Sequence, residues 1–391
     1  MAALAEGLHV PSWRMSDQRR IDAAADSARA ALAERLGTGP PWVDDAPARR
    51  FARLQGQVDA GLAFGWVWKP VEPGAALKRL AVGPATRRRA ACPTLPFARE
   101  AQFARFATAY AQPPAPLDPH DVFARPRRPD LASLPDVVQA AVGPRARVRD
   151  DAALPAPMEV RWLLSRSTLA PQRPSRVLRA LDQLARDGDQ DPLVVAALAY
   201  ARILIARPFD RGNEAAALLS VDQVLRATPG LSAARIGLAT GLHARRRALR
   251  GAVIRLAHHR RAGRTPWILA FLDALAAGAR GTAFRAHAHR AADAVIHDHL
   301  TGPAAKRGIG RRRVDPRELA RLASTNPYLS IPALVHAGLA RERTAGRYLD
   351  TLTRLGVGRT VRWGRLRLVR VSALADAIEP LDATSQRLRG S

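Results

Sequence analysis

The stretch Arg207-Pro208-Phe209-Asp210-Arg211-Gly212-Asn213 closes a long apolar segment, and its reading decides the fold. Upstream, Asp191 followed by Pro192 makes a strong helix start. It supplies an acidic N-cap and a proline in the first turn, where the missing N–H costs nothing. Leu193, Ala196, Ala197, Tyr200 and Leu204 then recur at helical spacing, and the segment is apolar nearly all round. A helix with no polar face for water belongs inside, so the pattern predicts a central buried helix. Downstream, Glu214 to Ala227 predicts a second helix.

Working outward, helices are expected at Leu131 to Val142, Met158 to Leu164 and Arg176 to Asp187. Arg145 to Pro157 between them is polar, Pro-bounded and extended. After the second helix, Ser232 to Arg261 and Thr265 to Ala277 are expected as helices split by Gly263, and Thr282 to His299 as another. Nearer the N-terminus, Arg19 to Leu36 is an Ala-rich helix stopped by Gly-Thr-Gly-Pro-Pro at Gly37 to Pro41. Ala48 to Leu62 is a further helix candidate. Gln112 to Pro119 and Arg125 to Pro129 are Pro-rich connections, because proline removes a donor and biases its predecessor to extended backbone.

The balance of charge narrows the partners. The 391 residues carry 62 Lys and Arg against 34 Asp and Glu, a net charge of +28. Such an excess suggests a polyanion, nucleic acid first and an anionic membrane surface second. Only Lys69, Lys78 and Lys306 are lysines. That preference for Arg, with the heavy Ala usage, fits a GC-rich genome, but such bias does not account for the shortage of acids. Cys92 is the single cysteine, so neither a disulfide framework nor a cysteine zinc cluster is expected. No apolar leader is evident, and the longest apolar run, Leu193 to Ile205, is interrupted by Arg202 and too short to span a bilayer. A soluble, cytoplasmic, nucleoid-associated bacterial protein is the expectation, with no membrane partner.

The loop and its surroundings resemble the Fic/Doc (Fido) family, whose signature is H-P-F-x-(D/E)-G-N-G-R-x-x-R. Pro208, Phe209, Gly212 and Asn213 keep the frame. Arg207 stands at the family's catalytic His, Arg211 at its metal-binding acid, and Glu214, Ala215 and Leu218 replace the remaining Gly and both Arg. The extended segment Arg145 to Asp151 with Leu154 to Pro157 resembles the family's flap, and Asp191 to Ala201 its central helix. Thr265 to Asp273 resembles its Trp-containing helix. The likeness covers roughly 140–300. It implies a mainly α chain: an N-terminal helical region (1–130), a Fic-like helical domain with a small β-hairpin flap (131–305, motif 207–218) and a C-terminal module (314–385).

The departures bear on the chemistry. In the family, the helix start after the loop cradles phosphate, Gly and Asn let backbone approach the anion, His takes the proton of the incoming hydroxyl, and the acid holds Mg²⁺. A guanidinium stays protonated, so Arg207 cannot act as that base. Arg211 would repel the metal, and Glu214 would repel phosphate. The expectation is therefore a Fic-like domain without nucleotide transfer. The loop is then a fold marker, with Arg207, Arg211, Gly212 and Asn213 a possible anion pocket. No match to the family's inhibitory motif is found near the N-terminus.

After the basic linker Lys306 to Arg313, residues 301–391 carry 18 Lys and Arg against 7 Asp and Glu, a surplus of 11. Asn326 to Arg370 reads as a winged helix-turn-helix, a module that often follows the Fic domain. Ser330 caps a first helix with Leu334, Val335 and Leu339 as apolar contacts, and Ala337 and Gly338 make the turn. Arg341 to Leu355 is the second helix. Ala345, Tyr348, Leu349 and Leu352 line one face; Arg341, Arg343, Thr344 and Arg347 line the other, where a recognition helix meets DNA. Thr360 to Arg370 is a hairpin wing turning at Trp363 to Arg365, carrying Arg362, Arg365 and Arg367.

The remaining candidates are weaker. His287 with His289, and His297 with His299, sit two apart, about 200° round a helix, so no metal site is expected. His258 and His259 fall under the same reading. The arginines from Arg245 to Arg264 are either a solvated face or a second phosphate-contacting surface. Trp42, Trp66, Trp68 and Trp162 are expected to fill core gaps. The leading expectation is a double-stranded-DNA-binding transcriptional regulator, a dimer reading paired half-sites, with no cofactor. The alternatives are a divergent Fic-type nucleotidyl or AMP transferase acting on protein hydroxyls, and a non-catalytic scaffold for a protein or RNA partner.

Overall fold

The computed structural model describes residues 14–37, 130–150, 173–186, 190–227, 236–303, 316–336, 340–363 and 366–378, with positions 51, 55, 59, 106, 110, 231 and 233. The chain is mostly helical, with one small antiparallel sheet. It packs as two compact units. The first comprises Met1–Trp42, Leu62–Lys69 and Gln102–Thr282; the second comprises Val43–Gly61, Pro70–Ala101 and Ala283–Ser391.

In the first unit, α1 (Met15–Gly37), α2 (Leu134–Val142), α3 (Pro174–Arg186), α4 (Pro192–Ala206) and α5 (Asn213–Arg226) precede two short helices, α6 (Leu238–Ala244) and α7 (Arg246–His258). The helix at α4 starts as its sequence dictates: the Asp191 carboxylate accepts from the Leu193 N–H at 2.8 Å, and Pro192 fills N1. Arg29 of α1 also pairs with Asp191. Ala196, Ala197, Ala199 and Ala201 on α4, and Ala215, Ala216 and Ala217 on α5, are all buried, and side chains this short let the two helices approach closely. Arg202 is the single charge on α4.

The long helix α8 (Arg264–Thr301) is anchored on α4 by Trp267, whose indole N–H donates to the Ala197 carbonyl at 2.8 Å. Tyr200, Trp267 and Phe271 form a buried aromatic group with ring centroids 5.7–6.0 Å apart. The expected break before Thr282 is absent, and α8 runs unbroken for 38 residues. Gly278 is a packing residue there: a Cβ on it would lie 2.7 Å from the Gly237 carbonyl oxygen, and one on Gly241 would lie 2.1 Å from that of Ala274. Backbone meets backbone where α6 crosses α8, which outweighs the modest cost of glycine in a helix interior. The single helix expected from Ser232 to Arg261 is instead two, parted at Arg245 (φ −100°). By length and composition α8 could cross a bilayer, but 61% of its apolar window is buried in the protein, as in a core helix.

In the second unit, α9 (Pro316–Thr325) leads to β1 (Tyr328–Leu329), α10 (Ile331–His336) and α11 (Glu342–Arg354). The hairpin β2 (Gly358–Trp363) and β3 (Leu366–Val371) and a last helix α12 (Ser372–Ile378) follow. The sheet order is β1-β3-β2, with Tyr328 opposite Arg370 and Arg362 opposite Arg367. The end of α11 is a Schellman motif: Val357 N–H bonds Leu352 at 3.0 Å, Gly356 N–H bonds Thr353 at 3.1 Å, and Gly356 has φ 73°. Val357 and Leu352, the pair that accompanies this motif, are both buried. Leu334 is buried as expected, whereas Val335 is 43% exposed, because on a helix the next residue points about 100° away.

Phe51, Gln55 and Asp59 are helical and buried at a spacing of four, the one part of the expected 48–62 helix among the described residues. Gln55 bonds Arg285, and Phe51 packs on His289, whose Nε2 lies 2.9 Å from the Ser324 carbonyl. The Pro-rich connections, the 158–164 helix, Leu154 to Pro157, Ala337 to Leu339 and Trp42, Trp66, Trp68 and Trp162 lie outside the described residues.

Candidate functional sites

The loop between α4 and α5 is built from both ends. Arg207 terminates α4 with its N–H on Ile203 O at 2.8 Å and takes the left-handed conformation, φ 52°, which is unusual for a residue with a Cβ. Phe209 is fully buried and forms a β-bridge with Val148 of the extended segment. The Arg149 N–H donates to Pro208 O at 2.8 Å, and the Asp210 N–H donates to Arg147 O at 2.9 Å. So the segment expected as a flap lies against the loop expected as the motif.

Arg149 itself went unnoticed in the sequence. Its guanidinium is buried and donates to the carbonyls of Arg207 (2.7 Å) and Ala206 (3.3 Å). The last carbonyls of α4 have no partners within the helix, and a cation from another segment satisfies them and complements the negative end of the dipole. A lone Arg in a polar stretch gives no sequence signal of that role.

The side chain of Asn213 is used within the loop: Oδ1 accepts from the Phe209 N–H at 3.0 Å, and Nδ2 donates to Phe209 O at 2.8 Å. Gly212 begins α5 with φ 73°, and a Cβ there would lie 2.8 Å from Val142 Cγ1. Arg207 is buried, whereas Asp210 and Arg211 are exposed. Glu214 is buried in the first turn of α5, near enough to Tyr200 to help burial push that phenol well above its ordinary pKa. A carboxylate of the protein thus already sits at the positive end of α5. These residues do not suit a magnesium-bound nucleotide: Arg211, compared above with a metal-binding acid, is an exposed cation, Val142 backs Gly212, and the helix start holds Glu214. Among the described residues no group of three His, Cys, Asp or Glu is placed to hold a metal ion. His297 lies 3.8 Å from Asp293, and His299 Nδ1 lies 2.8 Å from Val295 O.

The second candidate is the outer face of α11 and the β2–β3 hairpin. Ala345, Tyr348, Leu349 and Leu352 are buried, which turns Arg343 and Arg347 outward; both are exposed, as is Arg341 just before the helix, and Thr344 is half-buried. Arg362 and Arg367 are exposed and directly opposite each other across the strands. Like charges so placed repel, and an anion relieves them. Arg367 is also held by Asp350 of α11, joining the hairpin to the helix. Arg359, which the sequence reading passed over, is exposed on β2; Arg365 lies outside the described residues.

No family model matches the chain, and no curated protein matches it. Among solved structures it is similar to a Fic family protein from Desulfovibrio desulfuricans G20, with 15% identity and a TM-score of 0.40, over 89% of this chain and 95% of that one.

Proposed function

We propose that the chain is a DNA-binding protein acting as a transcriptional regulator, in which residues 314–385 form a winged helix-turn-helix and residues 131–305 a Fic-like domain without nucleotide transfer. The observation that carries this reading is the outward row Arg341, Arg343 and Arg347 on α11, with the exposed pair Arg362 and Arg367 on the hairpin that Asp350 joins to that helix. In the order strand, helix, helix, hairpin, the second helix would enter the major groove and the hairpin would lie along the backbone. Arginine suits both tasks, since its fork matches guanine and phosphate alike. The net charge of +28 supports attraction to a polyanion at long range.

For the Fic-like domain the support is local: the apolar central helix, the loop that follows it, and the extended segment bridged to that loop through Val148 and Phe209. The misfit of Arg207, Arg211 and Glu214 to a base, a metal ligand and a phosphate cradle supports a structural or anion-binding role. Genome-wide mapping of sites bound by the full-length protein tests DNA binding and identifies the sequence read. Wild type enriching no sites above an Arg343→Ala/Arg347→Ala variant would refute the regulator. Transfer of label from a nucleotide with Mg²⁺, lost in an Arg207→Ala variant, would refute the non-transferring domain.

A further inference from the structure

Arg202 lies near the end of α4, half-buried, and its Nε is shielded from water without a hydrogen-bond partner. The bond from Trp267 to the Ala197 carbonyl holds the first turn of α8 against α4. That brings Arg264 and the preceding turn, with Arg260 and Arg261, toward Arg202. Burial, and then repulsion from Arg260 and Arg264, lowers the pKa of the Arg202 guanidinium; burial and Arg261 lower that of Arg264. Arg260 and Arg261 are exposed. Among the described residues, Arg202, Arg260 and Arg261 have no ion pair.

Nearby along the chain, Asp222 is engaged by Arg226 and Asp273 by Arg245. Residues 223–272 contain ten arginines and no acid. The 38-residue helix α8 begins here without an acidic residue in its first turn, so its positive end adds to the same field. Partly desolvated like charges are unfavourable by themselves, and an anion with several acceptor oxygens relieves both the repulsion and the orphaned donor.

We propose that Arg202, Arg260, Arg261 and Arg264 form a binding site for a phosphate group. Several guanidinium forks converging from two elements suit a multiply charged oxyanion better than a single carboxylate. A terminal phosphate of a small molecule and a phosphodiester of nucleic acid share this chemistry. The site is made of residues other than the C-terminal arginines and stands independently of the regulator reading.

The test uses the full-length protein with inorganic pyrophosphate and with a short DNA duplex as probes, at matched ionic strength, followed by calorimetric titration and thermal unfolding. Pyrophosphate is expected to bind the wild type and raise its Tm, and Arg202→Gln and the exposed Arg260→Gln each to weaken binding about tenfold or more, as expected for a lost charged hydrogen bond. If both variants also weaken duplex binding, the phosphate is a phosphodiester; if only pyrophosphate binding falls, it is a terminal phosphate. Equal pyrophosphate affinity in the wild type and both variants overturns the proposal, as does failure of the wild type to bind either probe. Without anion, Arg202→Met is expected to unfold at a higher temperature than the wild type, because it removes a desolvated, repelled charge. A Tm lower by several degrees would mean that the protein itself holds Arg202 in place, which also overturns the proposal.

Discussion

Replacing Arg343 and Arg347 together by Ala tests the DNA reading at its base, because the expected effect can be worked from the surface. Arg341, Arg343, Arg347 and Arg362 are exposed and have no ion pair among the described residues, whereas Arg367 is held by Asp350. If each of the four replaces one counterion on the duplex, log Kobs against log salt has a slope of about −3.6 per protomer. Raising salt from about 50 to 200 mM then weakens binding about 150-fold. Removing two contacts brings the slope to about −1.8 and that loss to about 12-fold. Fluorescence anisotropy of a labelled duplex over a salt series reads both numbers. Arg186→Ala, which breaks an exposed pair with Asp182, serves as the control and should leave the slope in place. An unchanged slope in the double variant, or an equal change in the control, refutes the assignment of this face to DNA.

Other perturbations have equally definite outcomes. Asp350→Asn releases Arg367 and removes a negative charge from the same face, so duplex affinity should rise several-fold at low salt; a fall would place Asp350 among the contacts. Gly212→Ala should cost about 2–4 kcal/mol in urea unfolding, from left-handed strain and the crowded Val142. In a double-mutant cycle Val142→Ala should recover about 1–2 kcal/mol of it, and strict additivity would mean that Val142 does not fill that space. Arg149→Met should destabilise by about 3 kcal/mol, because the carbonyls of Ala206 and Arg207 lose a buried cationic donor; an unchanged unfolding midpoint would contradict that cap. Burial raises the pKa of Asp222 despite the opposing Arg226 and the Ala233 N–H. The folded protein therefore holds this proton more tightly than the unfolded chain. Relative to Asp222→Asn, wild-type stability should fall as pH rises from the ordinary carboxylate range through the raised folded value, and parallel profiles would refute that.

The sequence by itself determined what local chemistry and periodicity can encode. Asp191-Pro192 fixed the start of α4, its all-round apolar face fixed its burial, and the spacing of Ala345, Tyr348, Leu349 and Leu352 fixed which side of α11 faces inward. The arginines then had to point outward. Gly356, two residues beyond the end of α11, was legible as a stop because only a positive φ closes that cap. Tertiary structure decided whatever depends on a partner far along the chain. Gly278, just past the expected helix end at Ala277, continues α8 as a packing contact, since what matters is the backbone of Gly237 pressed against it. Arg149, a lone arginine in a polar stretch, caps α4 from another segment. Arg202 reads as a blemish on an apolar helix until Trp267 brings Arg264 and its neighbours alongside. The loop Arg207 to Asn213 joins both kinds of information: its residues carry the resemblance, and only the fold placed Val142 behind Gly212 and Glu214 at the head of α5. Short-range patterns set where helices lie and which faces they bury; long-range contacts, which leave no periodic trace, set what those faces meet.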